Sequence, residues 1–298
     1  MENIKEDYFD LMFNNTSTAM LIIDNNRRIL SINSMFEKIF GYSKEEIVGR
    51  PFTKYVAPGY KSDLIKKYSL RHLAPEHNIS TYETKGIDKL GHLKDINVTA
   101  AMVSSKIVVS LVDITTRKKT EEELRHRVES QNLIMKISQD FSNVPVENID
   151  EMINTTLKTL GDFDKNDRCY IFLFSDNKSC MSAAYQWCRP DITTKSNYLE
   201  NISTDLFPGW SKKLANHESI HVSSLKELPS EAKDEKEILK AYGIKSIALT
   251  PISYANSIVG FLCFESLICE KLWKWKSIYL LNMTACIIEK ALLRKKNI

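Results

Sequence analysis

Residues 113–141 read Asp113-Ile-Thr-Thr-Arg-Lys-Lys-Thr-Glu-Glu-Glu-Leu-Arg-His-Arg-Val-Glu-Ser-Gln-Asn-Leu-Ile-Met-Lys-Ile-Ser-Gln-Asp-Phe141, and this stretch decides the architecture. It has no glycine or proline, is rich in Glu, Arg, Lys and Leu, and sets Leu124, Val128 and Met135 on one helical face. A second series, Ile134, Ile137 and Phe141, has the spacing of a two-stranded seam but is offset from the first. About 27 helical residues span roughly 40 Å, more than a compact domain needs for an internal connection. The stretch therefore predicts one long charged helix joining two differently built regions. Leu and Val stripes are uncommon on freely solvated helices, so the helix is expected to pair with its own copy in a parallel homodimer rather than run as a solvated connector.

At 298 residues with 43% apolar content the chain is long enough for two domains. A net charge of +3, with basic residues scattered except at Arg117–Lys119 and Arg294–Lys296, gives no reason to expect nucleic-acid binding. No apolar run reaches the length of a membrane span, and the first residues are too polar for a signal peptide; a cytoplasmic location is expected. All six cysteines lie in the second half without a Cys-x-x-Cys pair or a Cys/His cluster, so they read as reduced, mostly buried thiols with no metal site. Nine glycines in all leave neither a G-x-G-x-x-G loop nor a P-loop.

On the N-terminal side, Ala19–Asn33 gives two strand-like runs around Asp24-Asn25-Asn26, a hairpin. Ser34–Phe40 has helical spacing with Gly41 placed to end it, and Ser43-Lys-Glu-Glu46 fits a capping box. An amphipathic helix at Lys61–Leu73 precedes three more strand-like runs, Ile79–Gly86, Lys94–Val103 and Ile107–Val112, which together describe a five-stranded antiparallel sheet with helices on one face. The string Asn33-Ser-Met-Phe-Glu-Lys-Ile-Phe-Gly-Tyr-Ser-Lys-Glu-Glu-Ile-Val-Gly-Arg-Pro51, with the ending Val112-Asp-Ile-Thr-Thr-Arg117, resembles a PAS domain. The resemblance implies a sensory cup closed by the sheet and assigns Asp113 and Thr115, with Arg117 following, to coupling the last strand to the output helix. A carboxylate at Asp113 is suited to bonding the N–H groups of the first helical turn or to pairing with Arg117. Where the family usually turns on glycine this chain has Arg27, and Asn25 or Asn26 is expected to take the left-handed conformation instead. Photoactive members attach flavin at a cysteine after Gly-Arg; here the chain reads Gly49-Arg-Pro-Phe-Thr-Lys-Tyr55, with no cysteine before Cys169, which excludes covalent flavin photochemistry. Haem-binding members hang iron from a histidine on the long helix, for which His72 and His77 are the nearby candidates.

The second half predicts a helix at Glu147–Leu160, strands at Arg168–Phe174, Met181–Cys188, Ser246–Ser253 and Ile258–Ser266, a long polar stretch between them, and a final helix at Lys276–Lys296. The Tyr170–Phe174 strand, Tyr185-Gln-Trp-Cys188, the Trp210 segment, Glu237-Ile-Leu-Lys-Ala-Tyr-Gly-Ile-Lys-Ser246, Ile258–Ser266 and Lys271-Leu-Trp273 resemble a GAF domain. The resemblance implies a small-molecule pocket between sheet and polar stretch, lined by Tyr170, Phe172, Trp187, Phe207 and Trp210; as plain residues, these aromatics equally suit a filled core. Cys188 would ligate haem or sense oxidants if its thiolate were stabilised, with Arg189 the one cation adjacent in sequence. The Asn-Lys-x-Asp-Glu signature of cyclic-nucleotide GAF domains is missing, as is a clear bilin-attachment cysteine beside a histidine.

The fold class expected is thus α+β: a PAS domain at 1–116, a signalling helix at 117–141 and a GAF domain at 142–298. No acceptor-helix histidine follows His221, no cyclase Gly-Gly-Asp/Glu-Glu-Phe loop occurs, and His217 and His221 have no nucleophile elbow beside them, so the reading is non-catalytic. We expect a sensor that binds an unidentified small molecule and relays the change through the dimeric helix, either as the input region of a two-component histidine kinase or as an adaptor to a kinase or response regulator. A partner-binding or transcription-associated regulator with two dry cores is the other class the sequence fits.

Overall fold

The computed structural model describes residues 10–73, 79–192, 199–254 and 257–296. The chain divides into two compact units between Leu124 and Arg125.

The first unit is a five-stranded antiparallel sheet in the order β2-β1-β5-β4-β3, built from β1 (Ala19–Ile23), β2 (Ile29–Ile32), β3 (Ile79–Ile87), β4 (Leu93–Val103) and β5 (Lys106–Asp113). Helices α1 (Ser34–Phe40), α2 (Lys44–Ile47) and α3 (Lys61–Leu73) lie between β2 and β3 in the chain. Local chemistry sets their ends. Buried Asn33 caps α1: its Oδ1 accepts from Phe36 N at 3.0 Å and Met20 N at 2.9 Å, while its Nδ2 donates to the carbonyls of Phe13 and Thr18. Gly41 ends α1 at φ 74°, and Glu46 Oε2 accepts from Ser43 N at 2.9 Å to close the capping box of α2. One expectation changes at the first hairpin. Arg27 itself takes the left-handed backbone, φ 66°, with neither Asn25 nor Asn26 doing so, because Asp24 Oδ1 accepts from both Asn26 N and Arg28 N at 2.8 Å and fixes the turn one residue later.

Helix α4 (Thr115–Asn143) follows β5 directly, 29 residues long. The second unit then adds α5 (Ile149–Asp164), β6 (Arg168–Phe174), β7 (Cys180–Cys188), β8 (Ile202–Ser203), α6 (Pro208–Ala215), β9 (Ile220–Val222), α7 (Lys233–Ala241), β10 (Ser246–Tyr254), β11 (Ser257–Ser266) and α8 (Trp275–Lys296). Its six strands run β8-β7-β6-β11-β10-β9. The sheet has an apolar core on each face. Cys169, Ile171, Ala248, Leu262 and Phe264 pack against α5, α8 and the C-terminal half of α4. Tyr170, Phe172, Ile247, Phe261 and Cys263 pack against α6 and α7 on the other.

The helix between the units corrects one expectation. Ile134, Ile137 and Phe141 are 6, 4 and 4% exposed, sealed into the core of the second unit, so they are no part of an intermolecular seam. The expected linker 117–141 is therefore in its last third a structural helix of the following domain. Leu124, Val128 and Met135 do project outward, 60, 47 and 60% exposed. Beside the core they share, the Arg127 guanidinium of α4 lies 5.7 Å from the Trp275 ring centre of α8, and Arg294 of α8 donates to the carbonyls of Phe141 at 2.5 Å and, just past α4, Val144 at 2.9 Å.

Candidate ligand pockets and helix junction

The start of α4 is fastened to β4. Ile114, whose carbonyl accepts from Lys118 N, stands at the cap position with no polar side chain, and Asp113 one residue earlier supplies the acceptor: Oδ1 takes the N–H of Thr115 at 2.9 Å. The other oxygen of Asp113 meets Lys94 Nζ at 2.9 Å. Asp95, the next residue of β4, accepts from Ile114 N at 2.8 Å through its carbonyl and donates its own N–H to Thr115 Oγ1 at 2.9 Å. Lys118 adds ion pairs to Glu83 at 2.5 Å and Asp95 at 3.5 Å. Burial pushes the Asp113 carboxyl up, but hydrogen bonds from Thr115 and Lys94 outweigh it and hold the group below its ordinary value of 3.8. Arg117 turns away to pair with Glu121 at 2.7 Å in solvent, so of the two roles open to Asp113, the bond to the first turn is the one made.

Each unit holds a partly open cavity. In the first, about 90 Å³ between the sheet and the helices is lined by residues including Ile29, Phe36, Phe52, Tyr55, Leu64 and Tyr68, and the buried hydroxyl of Thr84 on its wall has no hydrogen-bond partner. The second cavity is larger, about 130 Å³, between the sheet and α6–α7. Phe172 and Phe261 stack with ring centres 5.1 Å apart, and Phe207 and Trp210 do so at 5.4 Å. At one end of this aromatic slot sit Arg168 and Glu265, partners across the β6–β11 register, with Arg168 Nη1 3.6 Å from Glu265 Oε2. Burial raises Glu265 to about 7 against the opposing pull of Arg168.

Residues 7–106 match the PAS fold family and residues 148–292 match the GAF domain family. The chain carries a PAS domain followed by a GAF domain. Together they form a sensory region. Over 188 residues, 62% of this chain, it is 28% identical to the methanogenesis regulatory histidine kinase FilI of Methanothrix harundinacea, of which it spans 21%. An uncharacterized protein of Azorhizobium caulinodans is 31% identical over 67 residues, 22% of this chain and 9% of that protein. Among solved structures, the chromophore-binding domain of a bacteriophytochrome from R. palustris matches at a TM-score of 0.49 and 10% identity, covering 94% of this chain and 93% of that one.

Of the residues expected to line the GAF pocket, Tyr170, Phe172, Phe207 and Trp210 do so. Trp187 does not. It lies on the opposite face of the sheet, over Gly161 of α5, where a Cβ would come within 1.9 Å of its ring. A bulge between Ile171 and Phe172 shifts the β6–β7 register, so Ala183 and Met181 face the cavity side while Tyr185 and Trp187 face the helices. Cys188 sits behind the lining, its sulfur 3.5 Å from the Tyr170 hydroxyl. Arg189, the cation next to Cys188 in sequence, is engaged by Asp167 at 2.8 Å and Asp191 at 2.6 Å. Burial pushes the thiols of Cys169 and Cys263 well up. His217 meets Ser253 Oγ at 3.0 Å on an exposed sheet end, and His221 is exposed on β9, its pKa lowered by desolvation. In the PAS domain, His77 lies outside the described residues and of His72 only its place in α3 is described. Sequence reasoning passed over Arg168 and Glu265; two charges opposite one another at the ends of apolar strands were the available signal.

Proposed function

We propose that this PAS–GAF region is a non-catalytic input module of, or an adaptor for, a two-component histidine kinase, working as a homodimer. A small molecule held in the GAF cavity biases the arrangement of α4, and the junction with the PAS sheet shares that bias. One observation supports the reading: α4 is a single helix whose start is bonded to the PAS strand β4 and whose end is core of the GAF domain. The kinase relative supports the downstream half of the reading. The exposed Leu124, Val128 and Met135 support the pairing of two copies along the middle of the helix.

The test uses the full chain. Leu124→Glu with Val128→Glu places charges on the stripe without touching either core, and sedimentation should show the parent as a dimer and the variant dissociating at least tenfold more readily. A monomeric parent, or a variant of unchanged affinity, refutes the dimeric relay.

A further inference from the structure

The GAF cavity holds a feature that a filled core does not need. Glu265 is 5% exposed, lines the cavity, and its Oε2 has no hydrogen-bond partner. At 3.6 Å the Arg168 guanidinium neutralises it as an ion pair but is beyond hydrogen-bond length. A buried acceptor left in this state is costly, more so when charged. Beyond the pair the lining is aromatic and aliphatic apart from Tyr170, Tyr242 and Cys263, and two of its walls are flat: Phe172 over Phe261, interplanar angle 20°, and Phe207 over Trp210, 29°. Its volume of about 130 Å³ is close to the roughly 150 Å³ of an engineered apolar cavity that holds one benzene ring.

We propose that the GAF cavity binds a single-ring aromatic molecule carrying one N–H or O–H donor, the ring lying between the aromatic walls and the donor given to Glu265. Flat walls favour a flat guest, since offset rings gain beyond simple burial. The volume suits one ring. The carboxylate chooses among rings: a guest without a donor would leave Oε2 as unsatisfied as in the empty cavity, and a site built around a hydrogen bond discriminates strongly against the analogue lacking it. This inference rests on the sensory reading for its purpose but not for its geometry.

Calorimetry on the full chain with phenol, aniline and toluene tests it. At about pH 8.5, where Glu265 is ionised, phenol or aniline should bind about 10–100-fold more tightly than toluene, the span expected for one hydrogen bond to a charged group. Removing Glu265 alone would take the carboxylate away from the buried Arg168 charge, so the discriminating variant is Arg168→Met with Glu265→Leu, since replacing a buried pair whole by apolar residues is often neutral or better for stability. This double variant, if circular dichroism shows it folded, should bind all three rings with the preference erased. Equal binding of phenol and toluene to the parent, a preference that survives in the double variant, or no binding of any ring, as for a cavity that holds only water, each overturns the proposal. Hydrogen exchange along residues 125–143 with phenol bound then separates the two readings. Saturable binding with unchanged exchange there keeps the pocket and refutes the relay, whereas altered exchange supports both.

Discussion

Asp113→Ala isolates the fastening of α4 to the PAS sheet. The substitution removes the bond to Thr115 N, 2.9 Å, and the ion pair with Lys94, 2.9 Å, whose side chains are each 23% exposed. A lost helix-start acceptor costs about 1 kcal/mol, and a partly exposed pair adds roughly 0.2–1 kcal/mol. The sum, about 1–2 kcal/mol, lowers the PAS melting transition by roughly 4–10 °C without unfolding the domain. It should speed exchange of the amides from Lys118 to Leu124 about 5–30-fold if they open with the junction. Asp113→Asn keeps an oxygen acceptor and should lose less than half as much. The carboxyl is held below its ordinary 3.8 in the fold, so its stabilisation is complete above that value and disappears as pH falls through the lowered folded value. The gap between parent and Ala variant should accordingly be constant from pH 7 to 5 and close toward pH 2. Unchanged exchange from Lys118 to Leu124, or an Asn variant as damaged as the Ala variant, refutes the assignment of Asp113 as the fastening residue.

Arg27→Gly should stabilise the PAS domain by about 0.5–1 kcal/mol in thermal melts, since relief of a left-handed non-glycine backbone, about 1–2 kcal/mol, exceeds the added chain entropy. Gly161→Ala should destabilise the GAF domain by about 1–2 kcal/mol in urea titrations despite its better helix propensity, because the new methyl meets the Trp187 ring at 1.9 Å. Ile137→Ala should cost about 2–5 kcal/mol and Leu124→Ala less than about 0.5 kcal/mol in denaturant midpoints; comparable losses would mean the burial contrast of 4 against 60% is wrong. Glu265→Gln tests the buried pair by pH: a carboxyl raised from 4.5 to about 7 in the fold loses stability as pH climbs through that window. Relative to the Gln variant the parent should therefore fall by up to roughly 3 kcal/mol between pH 4.5 and 7 and then level off.

The elements written locally were legible in the sequence. Asn33, Gly41 and the Ser43–Glu46 box mark helix ends through bonds that span only a few residues, and the strand runs of both domains appear within a residue or two of where they were expected. What periodicity does not encode is the identity of the neighbour. Ile134, Ile137 and Phe141 carry the same spacing whether they meet another chain or their own domain, and only the tertiary fold assigns them to the latter. The GAF resemblance assigns Trp187 to the pocket; the register shift opposite Ile171 and Phe172, which leaves Ala184 unpaired and turns Trp187 to the helix side, has no marker in the sequence. Helices α6 and α7 were hidden in a polar stretch, though Pro208 at a first-turn position with Trp210 and Leu214 four apart was a readable cue.

The contacts of Arg127 with Trp275 and of Arg294 with Phe141 and Val144 put the middle of α4 beside the start of α8 and the end of α4 beside the end of α8. The two helices run side by side with the same polarity. The GAF domain thus returns the chain on the heading it arrived with, its sheet and pocket hanging to one side like a clamp on a rail. On the proposed relay, a twist or slide of α4 would reach α8 directly through these contacts, without crossing the sheet.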